Sequence, residues 1–277
     1  MVDIPGRDIS FHLDNNLKEL LDGFKSVVAE KNTSVVILCD GRSGMGKTTL
    51  MNQVGIYCDN NYDLKNIYYD PDLFLEGLSN AKKGEFLLFD EAMLISNRST
   101  MSRINKMVIQ AMSMIRSKNI IVGFCINSIF DMDRNLVLSR ADLLLHVYGE
   151  NLIDRGNYIA FFRAVKQEDK IKLLYLLGKK YYSYAKPKAN FVGRFFNKFI
   201  VDAEEYEKQK QEAINKFLKD DDKDVFTKRG KALLKLLVFI KENMEITQKR
   251  IAQVVEVDEE TISRWLKMAK IHNPHPQ

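Results

Sequence analysis

"VVILCDGRSGMGKTTLMNQVG", Val35 to Gly55, decides how the rest of this chain is read. A short unbroken apolar run, "SVVILCD", ends in glycine-rich sequence, and a helical pattern follows from about Lys47 to Cys58. An apolar run without polar alternation predicts a strand buried on both faces. Between strand and helix, Gly41-Arg42-Ser43-Gly44-Met45-Gly46-Lys47-Thr48 fits the pattern G-x-x-x-x-G-K-[ST]. Glycines there let the backbone curl so that successive N–H groups face one point, and the helix start adds its positive dipole end. Lys47 brings a mobile charge suited to β- and γ-phosphates, and the Thr48 hydroxyl a hard oxygen suited to Mg²⁺. The nucleotide cradle is therefore assigned to Gly41, Arg42, Ser43, Gly44, Met45, Gly46, Lys47, Thr48 and Thr49.

Further along, "EFLLFDEA" is an apolar strand ending in two carboxylates, Asp90 and Glu91. This has the form of a Walker B segment. Asp90 is expected to hold Mg²⁺ with Thr48, and Glu91 to polarise the water that attacks the γ-phosphate. A switch GTPase would need a base-recognition motif such as N-K-x-D; "NKMV" lacks the aspartate and lies in a helical pattern. The expected cofactors are ATP and Mg²⁺, and the expected activity is ATP hydrolysis. Asn127 ends the strand "NIIVGFCIN" and is expected between the two Walker strands, where its amide can sense the γ-phosphate or hold water. Arg98, Arg103, Arg134 and Arg140 are candidate arginine fingers, with Arg134 and Arg140 favoured because they follow that strand. A finger supplied by a neighbouring subunit implies a homo-oligomer.

Around these motifs the pattern alternates. A helix from about Asn15 to Lys31, the strands "SVVILCD", "NIYY", "EFLLFDEA", "IIVGFCIN" and "ADLLLHVYG", and an amphipathic helix "RINKMVIQAMSMIRSKN" predict a parallel α/β sheet. "HVYGENLIDRGNYIAFFRA" reads as a hairpin turning at Asn151, Asp154 and Gly156. "AEEYEKQKQEAINKFLK" reads as a solvated connecting helix rather than part of a site, and "KDDDKD" as the start of a linker. The expected organisation is an ATPase domain over 1–218, a linker over 219–227 and a small helical domain over 228–277.

The chain has 277 residues, 45% hydrophobic and 29% charged, and a net charge of +5. That composition is ordinary for a globular protein. No apolar run approaches the roughly 20 residues that span a bilayer, and the start "MVDIPGRDIS" lacks an apolar signal core. A cytoplasmic protein without a membrane anchor is expected. Cys39, Cys58 and Cys125 have no metal-ligand spacing and are expected as plain thiols. From Val225 onward ten basic residues face six acidic ones, so most of the excess charge, +4, lies in the tail.

Within that tail, "TQKRIAQVVEVDEETISRWLKMAK", Thr247 to Lys270, has the pattern of a helix-turn-helix. The first helix is expected from about Thr247 to Val255, and the second from Asp258 as N-cap. Val257, Ile262 and Leu266 should pack inward, against the preceding "GKALLKLLVFIKEN". Thr261, Ser263, Arg264 and Lys267 should face outward as the DNA-contacting side of the second helix. Glu256 stands where the turn commonly has glycine, and Glu259 and Glu260 oppose phosphate at the helix start.

The two Walker strands, the helix "INKMVIQAMSMIRSKN", the strand ending in Asn127 and "LVLSRADLLLHVYG" together resemble the FtsK/HerA clade of P-loop ATPases. The branch they are most similar to is the zonula-occludens-toxin-like ATPases of viruses, plasmids and archaea. The resemblance spans about Ser34 to Ala164, and more faintly "NFVGRFFNKFIVDAEEYEKQK". In that clade a polar residue, often glutamine, ends the strand after Walker B; Asn127 takes that place. The resemblance implies a RecA-like sheet and a DNA-translocating or packaging motor of a mobile element or virus, working as a ring. A second reading is an AAA+ type loader, initiator or transposition helper, against which stand the hairpin after the fifth strand and the lack of a helical lid with a G-x-R sensor. A third is a nucleotide-switched regulator that binds one DNA site. A scaffold with a degenerate loop is disfavoured, since Lys47, Thr48, Asp90 and Glu91 are all present.

Overall fold

The computed structural model describes residues 1–90, 107, 109–111, 113–115, 118–149, 155–163, 168–224, 236–241 and 246–272. Glu91, Arg98, Arg103, Asn151 and Asp154, which carry several of the sequence expectations, lie outside the described residues. By internal contacts the chain divides into a unit Met1–Ala213 and a unit Ile214–Gln277.

The first unit is a seven-stranded sheet preceded by a small antiparallel pair, β1 (Val2–Asp3) and β2 (Ser10–Phe11). The sheet strands are β3 (Val35–Gly41), β4 (Ile67–Tyr68), β5 (Phe86–Asp90), β6 (Ile121–Cys125), β7 (Leu143–Tyr148), β8 (Asn157–Phe162) and β9 (Phe191–Arg194). Their order is β4-β5-β6-β3-β7-β8-β9, parallel from β4 through β7 and antiparallel from β7 through β9. Strand β6, which leads into Asn127, lies between β5 and β3, as expected from the motif order.

All seven residues of β3 are buried, because helices cover both faces of a parallel sheet. On one face lie Leu17, Leu21 and Val28 of the helix Asn15–Glu30 and Leu50, Met51 and Val54 of the helix Lys47–Cys58, packed with Ile37 and Cys39 of β3. On the other, Phe74 of the helix Pro71–Asn80 meets Phe89 of β5 and Phe124 of β6 at ring separations of 5.2 and 5.5 Å. Asp14 caps the helix Asn15–Glu30, its Oδ1 accepting from the N–H groups of Asn16 and Leu17. Cys39, Cys58 and Cys125 are all free and buried.

Several elements depart from the sequence reading, the β1–β2 pair and the helices Arg134–Ser139 and Lys170–Gly178 among them. The helix Pro71–Asn80 was not expected, although Asp70 caps it and Pro71 opens it. Strand β9 extends the hairpin to a third antiparallel strand. The charged helix runs from Ala203 to Asp224, so the first six residues of the expected linker are helical; neither glycine nor proline interrupts that stretch. Among the described residues no helix is long and apolar enough to cross a membrane.

In the second unit, the helices Gln248–Val255 and Glu259–His272 are joined by Glu256, Val257 and Asp258. Glu256 adopts a left-handed conformation, φ 58°, so it does the work usually given to glycine at such a turn. Thr247 caps the first helix and Asp258 the second, its Oδ1 accepting from Thr261 N–H at 2.6 Å. Ile251, Ala252, Ile262 and Leu266 form the small core, with Val257 and Trp265 packed against it.

Candidate nucleotide site

The loop after β3 has the backbone its glycines foreshadowed. Gly41 has φ 138°, and a Cβ there would lie 2.2 Å from the Val147 carbonyl oxygen, so only glycine lets the chain leave β3 this close to β7. Gly46 has φ 97° and heads the helix Lys47–Cys58 without a side-chain cap, so the first N–H groups of that helix are left to face the loop. Gly41 N–H donates to Asn127 O at 3.2 Å, tying the loop to the end of β6. The Lys47 ammonium donates to the carbonyls of Gly41, at 2.7 Å, and Arg42, at 3.2 Å, and so lies over the loop it follows.

Asp90 ends β5 almost completely buried. Its Oδ2 accepts from two hydroxyls, Thr48 Oγ1 at 3.0 Å and Tyr206 OH at 2.5 Å. The phosphate loop and the carboxylate strand thus meet through the two side chains assigned to Mg²⁺. A hydroxyl beside a carboxylate is a hard-oxygen pair, and Mg²⁺ usually takes one or two protein oxygens and completes its shell with water and phosphate. The pair fits that ion. Among the described residues no cluster of three His, Cys, Asp or Glu side chains could hold a metal of another kind. Burial, and then the Asp90 charge, push the Tyr206 hydroxyl well above its ordinary value, so it stays a proton donor to Asp90.

These groups line a cleft of about 350 Å³. Ser43 to Thr49 form one wall, with Asp90, Cys125 and Asn127 beside them. Gly41 and Arg42 are not among the described residues that line the cleft; their carbonyls accept from Lys47. Asn127 therefore stands where the sequence placed it. The rest of the lining is what sequence reading missed: Arg155 and Gly156 just before β8, the segment Phe195–Asn197 with Phe199, and Tyr206, Glu207 and Lys210. The charged helix assigned to solvent begins inside the cleft, and this corrects its reading as a mere connector. Its one signal was Tyr206, an aromatic residue in a first turn otherwise made of alanine and glutamates. Arg134 and Arg140 are exposed and are not among the described residues lining their own chain's cleft.

Behind the loop, Asp40 is fully buried. Its carboxylate accepts from Ile129 N–H at 2.8 Å and from the Tyr184 hydroxyl, and pairs with His146 Nδ1 at 2.8 Å. A buried carboxylate persists only when its lone pairs are occupied. Here they are occupied by groups from the turn after Asn127, from β7 and from the segment before β9. That arrangement fixes the end of β3 and the Asn127 turn together, on the face opposite the Lys47–Cys58 helix.

In the second unit, Arg264 and Lys267 are exposed, and Thr261 and Ser263 are partly buried on the same helix. Ile262 and Leu266 are buried beneath them, as their spacing required.

No protein-family model matches the sequence, and no curated protein matches it either. Among solved structures, the Thermotoga maritima RuvB Holliday junction branch migration motor aligns with 94% of this chain and 87% of its own, at 13% identity and a TM-score of 0.32. A replication initiator DnaA bound to AMPPCP and single-stranded DNA aligns with 94% of this chain and 89% of its own, at 10% identity and a TM-score of 0.32. The fold class rests on the chain's own geometry. A mostly parallel sheet, β6 between the strands of the two motifs, and a glycine loop opening a buried helix make this an α/β protein of the RecA-like P-loop NTPase type.

Proposed function

We propose that this protein is a Mg²⁺-dependent ATPase acting on DNA, working as a homo-oligomeric, ring-forming motor that translocates or packages DNA. The observation that carries the ATPase reading is the Thr48–Asp90 hydrogen bond at 3.0 Å. It joins the phosphate loop and the strand-end carboxylate, the two side chains that would hold Mg²⁺. The metal, when bound, neutralises charge on those phosphates.

The chain's own residues do the rest. The loop N–H groups and the helix start hold phosphate oxygens. Lys47 turns from the carbonyls of Gly41 and Arg42 to the phosphates. Asn127, at the cleft wall, hydrogen-bonds the γ-phosphate or its attacking water. Glu91, next in sequence to Asp90, takes a proton from that water. Arg140 of a neighbouring subunit supplies charge from outside. Thr261, Ser263, Arg264 and Lys267 contact DNA, in support of which stand the exposure of Arg264 and Lys267 and the positive charge of the tail.

Steady-state ATP hydrolysis, with and without long double-stranded DNA, tests this. Many-fold stimulation by DNA of arbitrary sequence is expected, with loss of turnover on the order of a hundredfold or more in Glu91→Gln. Slow hydrolysis indifferent to DNA would sink the motor.

A further inference from the structure

The lining of the cleft includes an exposed aromatic ring on a segment that is tightly fastened. Phe195 N–H donates to Gly156 O at 2.8 Å. The Gln53 amide, fully buried on the Lys47–Cys58 helix, donates to the carbonyls of Phe196, at 2.8 Å, and Lys198, at 3.0 Å. The Lys198 ammonium donates to Ser10 O at 2.6 Å. Phe195 is buried, its ring lying against Gly46. Phe196 is 64% exposed although its backbone is held from both sides, and His12 meets its ring edge-on at 5.3 Å. Leaving so large an apolar surface in water costs free energy, and here a loose backbone does not account for it.

The position of the segment indicates what covers that ring. Gly46, Thr49 and Gln53 lie on one face of the Lys47–Cys58 helix, at helical spacing. Gly46 and Thr49 line the phosphate end of the cleft, and Gln53 holds the Phe196–Lys198 segment one turn further on. A nucleotide whose phosphates lay on Ser43–Thr49 would have Phe196 and Asn197 in the same cleft to receive its sugar and base. We infer that Phe196 and Asn197 form the nucleobase subsite of this cleft, with Phe196 stacking on a purine and the Asn197 amide selecting adenine. An aromatic face accepts any base, whereas an amide offers one donor and one acceptor side by side, matching the adenine edge. Gln53 acts through the segment as a positioning residue.

This rests on the ATPase reading, and inorganic tripolyphosphate separates the two, since it fills a phosphate cradle without a base. Calorimetry on the full chain with Mg²⁺ would compare tripolyphosphate with the β,γ-methylene analogues of ATP and GTP. The wild type is expected to prefer the ATP analogue over the GTP analogue. Phe196→Ala is expected to weaken the ATP analogue about tenfold, the scale of one stacked base, and to leave tripolyphosphate binding within about twofold. Phe196→Trp should restore binding, and Asn197→Ala should narrow the preference over the GTP analogue. Equal losses for the analogue and tripolyphosphate, or no loss for either, would overturn the subsite alone and leave Phe196 as a surface for a partner protein. A wild type that binds tripolyphosphate but not the ATP analogue would also overturn it. Failure to bind any of the three would overturn the ATPase reading, and the subsite with it.

Discussion

Two hydroxyls share one oxygen of Asp90, and they arrive from opposite ends of the unit's sequence. Thr48 belongs to the motif; Tyr206 does not. A buried carboxylate with a single donor would be poorly compensated, so Tyr206 supplies part of what water would otherwise give. Tyr206→Phe keeps the ring, which packs against Tyr69 and Phe199, and removes the hydroxyl that donates to Asp90 and accepts a 3.4 Å contact from Lys210 Nζ. A hydrogen bond to a charged group is worth about 1.5–3 kcal/mol, and urea unfolding of the ligand-free variant should show a loss of that order. A variant as stable as the wild type would mean that Asp90 is satisfied without Tyr206. That oxygen and Thr48 Oγ1 are the pair proposed to hold Mg²⁺. The helix Ala203–Asp224 therefore reaches the proposed metal pair at its first turn, and a change at Tyr206 should also shift the Mg²⁺ concentration at which nucleotide binding is half-maximal.

At the scale of elements, legibility followed how local the cause was. β3 and the helix Lys47–Cys58 were readable because apolar run, glycine loop and helix start all agree within about 20 residues. The places of Asp90 at the end of β5 and Asn127 just beyond β6 were readable because each follows an unbroken apolar run. The strand β9, "FVGR", was not: it is short, contains Gly193, and exists because β8 offers an edge. The Phe195–Phe199 wall and Tyr206 were hidden for the same reason, since their roles come from packing against residues over a hundred positions away. Asp142 shows such a long-range tie between elements. Its Oδ2 accepts from Val36 N–H at 2.9 Å, linking the starts of β3 and β7. Burial raises its pKa, against the opposing pull of Val36 N–H and Arg163. The folded state thus holds the proton to higher pH than the unfolded state does. Stability from this group falls as pH rises from the ordinary carboxylate range through the raised value, and the ionised form is a net cost at neutral pH. Asp142→Asn keeps an acceptor for Val36 and removes the charge. Its melting temperature should exceed that of the wild type at pH 7, and the gap should close below the ordinary carboxylate range. A lower melting temperature at pH 7 would mean that attraction to Arg163 outweighs burial.

For the whole molecule, the two units divide the proposed work by chemistry. Among the described residues, those that line the proposed nucleotide cleft, from Ser43 to Lys210, all belong to the first unit. The tail carries most of the excess positive charge, and exposed Arg264 and Lys267 sit one turn apart on a helix whose other face is core. Glu259 and Glu260 at that helix's start work against phosphate, so contact should centre on the later turns rather than on the N-terminal end. Counterion release makes this measurable without knowing any preferred sequence. If Arg264 and Lys267 each neutralise one phosphate, the full-length variant carrying Arg264→Ala and Lys267→Ala should bind duplex DNA more weakly across all sequences. The slope of log affinity against log salt should fall in magnitude by about 1.8, at about 0.9 for each phosphate lost. A selective loss on one sequence with an unchanged slope would make these residues base readers, and would favour a site-specific regulator over a motor. Unchanged affinity and slope together would remove the second unit from DNA contact, and the search for the DNA path would move to the ATPase unit.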